Sequence, residues 1–166
     1  GAGYAAELDD KPLPKDDTFV YAWAGEDELK IVGLTDAGKV ETELTIPDTV
    51  TPGEGDEAVT YKVIAIADSV FTGTSSSAAN TTLQKVVIGA NIESIGAYAF
   101  RYCSALNTID FSKATELKSI GASAFYYVGA TEFDLSNCAA LTEIGASAFR
   151  YNSRKTITLP DGVNSW

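Results

Sequence analysis

Few side chains in this sequence could carry out catalysis. No histidine occurs, which removes Ser-His-Asp and Cys-His nucleophiles, histidine general bases and histidine metal ligands together. Two cysteines, Cys103 and Cys138, are too few for a structural zinc site. Carboxylates are plentiful, but no pair is set apart for acid–base work. The recurring Ile-Gly-Ala lacks both the spacing and the lysine of a nucleotide-binding loop. What remains is the chemistry of recognition. The pairs Arg101-Tyr102, Tyr126-Tyr127 and Arg150-Tyr151 recur at 25 and then 24 residues. Tyrosine and arginine are enriched at protein interfaces, and they stack equally well on sugars. The plainer reading is that Tyr102, Tyr127 and Tyr151 cover an edge of the fold and keep their hydroxyls in water.

The elements that must position these pairs are set by a repeat. Ile95-Gly96-Ala97-Tyr98-Ala99-Phe100, Ile120-Gly121-Ala122-Ser123-Ala124-Phe125 and Ile144-Gly145-Ala146-Ser147-Ala148-Phe149 are near-copies, with a degraded fourth at Ile66-Ala67-Asp68-Ser69-Val70-Phe71. A fixed period in this range marks a stack of coils, each of which covers its neighbour's apolar face. Each unit begins with a short strand, at Val86–Ile88, Ile109–Phe111, Phe133–Leu135 and Ile157–Leu159. A turn and a second apolar pair follow, at Ile92/Ile95, Leu117/Ile120, Leu141/Ile144 and Val163/Trp166. Gly-x-x-Ala-Phe then turns the chain back as a single helical or 3₁₀ turn, where glycine allows a positive φ or a close backbone approach and phenylalanine fills the space between coils.

Side chains alternate along a strand, so Val87, Asp110, Asp134 and Thr158 face outward, flanked by Lys85, Thr108, Glu132 and Thr156. Adjacent strands lie ~4.8 Å apart, which makes Asp110, Glu132 and Asp134 neighbours. Stacked like charges are unfavourable, so a basic partner, a cation or solvent must compensate. The cluster clearly supplies too few oxygens for calcium. Cys103 and Cys138 occupy different slots of the coil and are expected as buried free thiols.

Upstream, residues 1–17, with Pro12 and Pro14, have the composition of a linker or loosely held lead-in. Phe19, Tyr21 and Trp23 alternate, a polar turn follows at Gly25–Glu28, and Leu29 and Ile31 resume, which predicts an antiparallel hairpin. The loop from Thr72 to Thr82 is unusually long and is expected to be mobile. One domain over 18–166 is expected, with the hairpin and first strands over 18–60 and about four coils over 61–166. Trp166 takes the slot of Ile95, Ile120 and Ile144 with no Gly-x-x-Ala-Phe after it, which fits either a cap or an interrupted array.

Charge is unevenly placed. Residues 1–70 hold sixteen Asp/Glu against five Lys, and residues 71–166 hold seven acids and seven bases, so the whole net charge of −11 lies in the first part. An acidic chain without a basic stripe argues against nucleic acid and anionic membrane as partners. No apolar run approaches the roughly 18 residues of a membrane span.

The pattern Ile-Gly-x-x-Ala-Phe-x-x-Cys-x-x-Leu-x-x-Ile-x-Phe, at Ile95 through Phe111, resembles the BspA-like leucine-rich repeat of bacterial surface proteins. Ile46-Pro47-Asp48-Thr49-Val50 and Leu159-Pro160-Asp161-Gly162-Val163 fit it too, and the hairpin at Phe19–Ile31 looks like the cap before such arrays. Two departures stand out: the array is short, and the cysteine slot holds Cys103 once, then Val128 and Asn152. The resemblance implies an α/β, β-rich leucine-rich-repeat solenoid, wound as a right-handed superhelix behind an N-terminal antiparallel β-hairpin cap. It also implies export to the cell surface or periplasm, no cofactor, and a non-catalytic recognition or adhesion module for an extracellular protein or glycan. The alternative is an architectural spacer in a larger envelope assembly. The candidate binding residues are Arg101, Tyr102, Tyr126, Tyr127, Arg150 and Tyr151 on one surface, and Asp110, Glu132, Asp134 and Thr158 on the other.

Overall fold

The computed structural model describes residues 11–53, 58–72, 76–151 and 155–162. Alternating apolar residues form the hairpin β1 (Phe19–Gly25) and β2 (Glu28–Leu34), paired antiparallel with Trp23 opposite Leu29. Phe19, Tyr21, Leu29 and Ile31 are buried on its inner face. Residues 11–17 lie against this hairpin. The indole N–H of Trp23 donates to the Lys11 carbonyl at 3.1 Å, and the Lys11 ammonium stands 4.7 Å from the Trp23 and Tyr61 rings. A single helical turn, α1 (Asp36–Lys39), begins at Thr35, whose hydroxyl accepts the Gly38 N–H.

Two rows of short parallel strands then run the length of the stack. The first row holds β3 (Glu43–Thr45), β6 (Lys85–Val87), β8 (Thr108–Asp110), β10 (Glu132–Asp134) and β12 (Thr156–Thr158). These strands begin one residue before the expected ones. Ladders join β3–β6–β8 and β10–β12, while β8 and β10 lie side by side without one. The second row continues the hairpin through β5 (Tyr61–Ile66), β7 (Ser94–Ile95), β9 (Ser119–Ile120) and β11 (Glu143–Ile144), with β4 (Thr49–Val50) antiparallel to β5. The sequence shows this second sheet only as apolar pairs, because two-residue strands are too short to display alternation. Helix is confined to α1 and a 3₁₀ turn at Ser76–Ala78 among the described residues, so the fold is β-rich.

The hexapeptide turns are not helical as expected. They are successive tight turns interrupted by residues in the left-handed region. Its fourth residue has positive φ in every copy: Ser69 (61°), Tyr98 (60°), Ser123 (56°) and Ser147 (61°). Glycine is therefore present for the other expected reason, close approach. A Cβ on Gly121 would stand 2.5 Å from the Ala97 amide nitrogen and 2.7 Å from the Gly96 carbonyl carbon, both backbone atoms that cannot swing aside. The Gly121 N–H instead donates to the Ile95 carbonyl at 2.8 Å, extending the second sheet by one rung.

A third ladder crosses the turns. Tyr98 N–H donates to Ala122 O at 2.9 Å, Phe100 N–H to Ala124 O at 2.8 Å, and Tyr102 N–H to Tyr126 O at 2.9 Å. Inside it, Phe71, Phe100, Phe125 and Phe149 stack as one column, with centroids 4.4, 5.2 and 5.7 Å apart and planes within 11° of parallel. The degraded copy at Ile66–Phe71 thus packs like the others. Val163, Trp166, Asn152 and part of the long loop lie outside the described residues.

Candidate recognition surface

Phe100, Phe125 and Phe149 are each followed by a residue pair whose second member is a tyrosine with positive φ: Tyr102 (67°), Tyr127 (61°) and Tyr151 (58°). L-residues other than glycine, asparagine and aspartate enter this region at a cost of roughly 1–2 kcal/mol. Glycine or asparagine would satisfy the turn with less strain. The backbone therefore does not explain tyrosine here; the explanation must lie in its ring.

The rings form a continuous ridge across three coils. Tyr102 meets Tyr126 edge-on at 5.7 Å and Tyr127 at 6.1 Å, and Tyr126 meets Tyr151 at 5.2 Å. The Arg101 guanidinium lies between two rings, 4.4 Å from Tyr98 and 5.1 Å from Tyr102, and that of Arg150 lies 4.8 Å from Tyr151. Such stacking holds each arginine in place, and Arg150 Nη2 also donates to the Tyr151 hydroxyl at 3.4 Å. Tyr98 is 40%, Tyr127 53% and Tyr151 56% exposed, so the outer faces of the ridge are open to solvent. The sequence reading places Arg101, Tyr102, Tyr126, Tyr127, Arg150 and Tyr151 together, and these contacts join them. It misses Tyr98, because Ser123 and Ser147 fill the same slot in the later copies; the departure of one copy from the others is the signal that points to it.

The acidic row is built differently. Register places Glu132 beside Thr156 and Asp134 beside Thr158, all exposed. Asp110 and Asp134 share a shallow groove of about 240 Å³ with Lys85, Ser112 and Asn137. Each aspartate bends back onto its own strand end: Asp110 accepts the Ser112 N–H at 2.8 Å, and Asp134 accepts the Ser136 N–H at 3.0 Å. These Asp-x-Ser turns hold both carboxyls below the usual range, through the serine hydroxyl and then the amide, with Lys85 and Lys113 adding to the effect at Asp110. The repulsion is thus offset within each coil. No group of three or more metal-ligating side chains occurs among the described residues.

Cys103 and Cys138 are free and fully buried. Burial pushes the Cys103 thiol up to about 12 and the Cys138 thiol up to about 11, so neither is a nucleophile at neutral pH.

Residues 74–166, more than half of the chain, match the BspA type leucine rich repeat region in six copies. The chain belongs to this family of bacterial surface repeat proteins. A leucine-rich repeat protein from Bacteroides capillosus superposes with a TM-score of 0.67 at 19% identity, over 87% of this chain and 96% of that one. The leucine rich repeat protein of T. pallidum gives 0.62 at 22%, over 93% and 74%. A leucine rich cell surface protein from Faecalibacterium prausnitzii gives 0.61 at 26%, over 93% of this chain and 45% of that longer one. Comparison with curated proteins gives no match. The fold is a leucine-rich-repeat solenoid, and the family and its solved members are repeat proteins of generally non-catalytic character. No helix among the described residues is long and apolar enough to cross a membrane.

Proposed function

We propose that this chain is a non-catalytic recognition or adhesion module of an exported bacterial surface or periplasmic protein, and that it binds its protein or glycan partner along the tyrosine–arginine ridge. In this reading the solenoid winds as a right-handed superhelix, the usual hand for parallel strands joined by crossovers. The β1–β2 hairpin closes its N-terminal end, and the domain extends over 18–166. The first strand row, with Asp110, Glu132, Asp134 and Thr158, forms a concave second surface. The observation that carries the proposal is the recurrence of tyrosine at a left-handed backbone position in three successive coils. Strain of this kind persists where the side chain is wanted. The Faecalibacterium relative, described as a cell surface protein, supports the location.

The test is a binding screen against extracellular-matrix proteins and a glycan array, run beside a Tyr127→Asn/Tyr151→Asn variant. Asparagine accepts the left-handed backbone, so the variant is expected to stay folded. Binding by the parent that disappears in the folded variant supports the reading. Binding that survives moves the site to the Asp110/Asp134 face. No binding by either protein favours an architectural spacer.

A further inference from the structure

Charge on the ridge runs against the charge of the molecule. Residues 94–109, 119–131 and 144–160, which include every residue of the turn row from Tyr98 to Tyr151, contain no aspartate or glutamate, although the chain has a net charge of −11. The formal charges within the ridge are those of Arg101 and Arg150, both held against ring faces. Arg101 carries a further sign of incomplete use: its Nε is buried without a hydrogen-bond partner. At the far end of the ridge, Arg150 and Lys155 together line a depression of about 320 Å³ with Ser147 and Ile157 and no carboxylate.

The side chains exposed along the ridge are aromatic, hydroxylated or cationic. Val128, the aliphatic residue after Tyr127, is buried. Tyrosine and arginine also occur at protein interfaces, but no large aliphatic side chain is exposed beside them on this ridge. A tyrosine presents an apolar face and a polar rim together, which suits a sugar ring, with its C–H face and ring of hydroxyls. Neighbouring tyrosine rings meet edge-on at 5.2–6.1 Å, close enough for adjacent sugars of one chain to touch different rings. Their left-handed backbone and the inter-coil hydrogen bonds fix the rings before binding, which reduces the entropy lost on association.

We infer that the Tyr98–Tyr151 ridge is a docking site for an acidic polysaccharide, whose sugar rings stack on the tyrosines and whose carboxylate or sulfate groups pair with Arg101 and Arg150. This rests on the ridge being the recognition surface. The guanidinium fork matches a planar or tetrahedral oxyanion. One carboxylate of the acidic first half, Asp68, accepts the Ala97 N–H at 2.8 Å beside the first end of the ridge; acids beyond ~8 Å are screened at physiological salt.

The experiment measures affinity for polygalacturonate, chondroitin sulfate and dextran sulfate, with neutral dextran as control and a matrix-protein panel in parallel. The proteins are the parent, Arg101→Gln/Arg150→Gln and Tyr127→Asn/Tyr151→Asn, each checked by its melting curve. Expected is binding to at least one acidic polymer and not to dextran, weakened by salt. Each lost arginine should reduce affinity about tenfold, the equivalent of one charge-assisted hydrogen bond. The arginine variant should lose the salt dependence, and the tyrosine variant should bind weakly but keep it. Carboxylated and sulfated arms identify which oxyanion is read. Failure to bind any acidic polymer, binding unchanged in both variants, or equal binding to dextran overturns the inference. Ridge-dependent capture of a matrix protein alone overturns it while leaving the recognition reading intact. Silence in every arm overturns both.

Discussion

The rings of Phe100 and Phe125 lie face to face, their centroids 5.2 Å apart and their planes 6° from parallel. Phe125 also stacks on Phe149 and meets Phe111 and Phe133 edge-on or tilted. With Phe149, which meets Phe133 at 4.7 Å, it joins the aromatic column to the first strand row. Phe125→Ala is expected to cost ~3–5 kcal/mol, the range for emptying a buried aromatic site. Thermal melting checks this, and an unchanged midpoint would refute the packing role.

Gly121 and Ser123 should respond in opposite ways to exchange of a methyl-sized group. Gly121→Ala puts a Cβ against Ala97 backbone and should destabilise by at least ~1–3 kcal/mol, as overpacking does. Ser123 stands at φ 56°, so Ser123→Gly relieves left-handed strain while adding unfolded-chain entropy, and should leave stability within ~1 kcal/mol. Denaturant midpoints of the two variants decide it; a tolerated Gly121→Ala sinks the close-approach explanation.

Asp48 ties the β3–β4 segment to the first coil. Its Oδ1 accepts the Ala90 N–H at 2.8 Å and faces Lys113 at 3.1 Å. The amide first, and the lysine with it, hold this carboxyl below its ordinary 3.8. The stabilisation is therefore present above pH 3.8 and disappears as pH falls through the lowered value. Asp48→Ala should lose about 1 kcal/mol at neutral pH, mostly from the amide bond, since an exposed ion pair adds little. Its acid-unfolding curve should be flatter than the parent's as pH falls below 3.8; identical curves would remove Asp48 from the account.

The buried thiols predict alkaline behaviour. Folding favours neutral Cys103 and Cys138 up to about 12 and about 11, against an ordinary 9.0. Above pH 9 the unfolded chain releases protons that the folded one keeps, so stability falls as pH rises through this window. A disulfide reagent at about pH 8 should label neither cysteine until denaturant is added. Rapid labelling of the native protein would show that the coil edge opens.

Much of this arrangement was legible in the spacing of one hexapeptide. The recurrence of Ile95, Ile120 and Ile144 implies the stack, that of Phe100, Phe125 and Phe149 its core, and that of Tyr102, Tyr127 and Tyr151 the ridge. The left-handed positions were hidden because serine and tyrosine, not glycine, occupy them, and a glycine elsewhere in the motif drew the attention. Strands as short as Ser94–Ile95 carry no alternation to read. The Asp-x-Ser spacing at Asp110 and Asp134 was visible, but only the folded strand ends show each serine answering its aspartate's charge.

The three inter-coil ladders have a consequence for how such a molecule changes length. Apart from the gap between β8 and β10 in the first row, the rungs join one coil to the next at the same register, as in Ser94 beside Ser119 and Ser119 beside Glu143. Tandem duplication of a whole unit would preserve the pairings and lengthen the ridge by one or two tyrosines, while an insertion of a few residues would shear the ladders at once. Gene copying in full units is thus the low-barrier path to a longer stack.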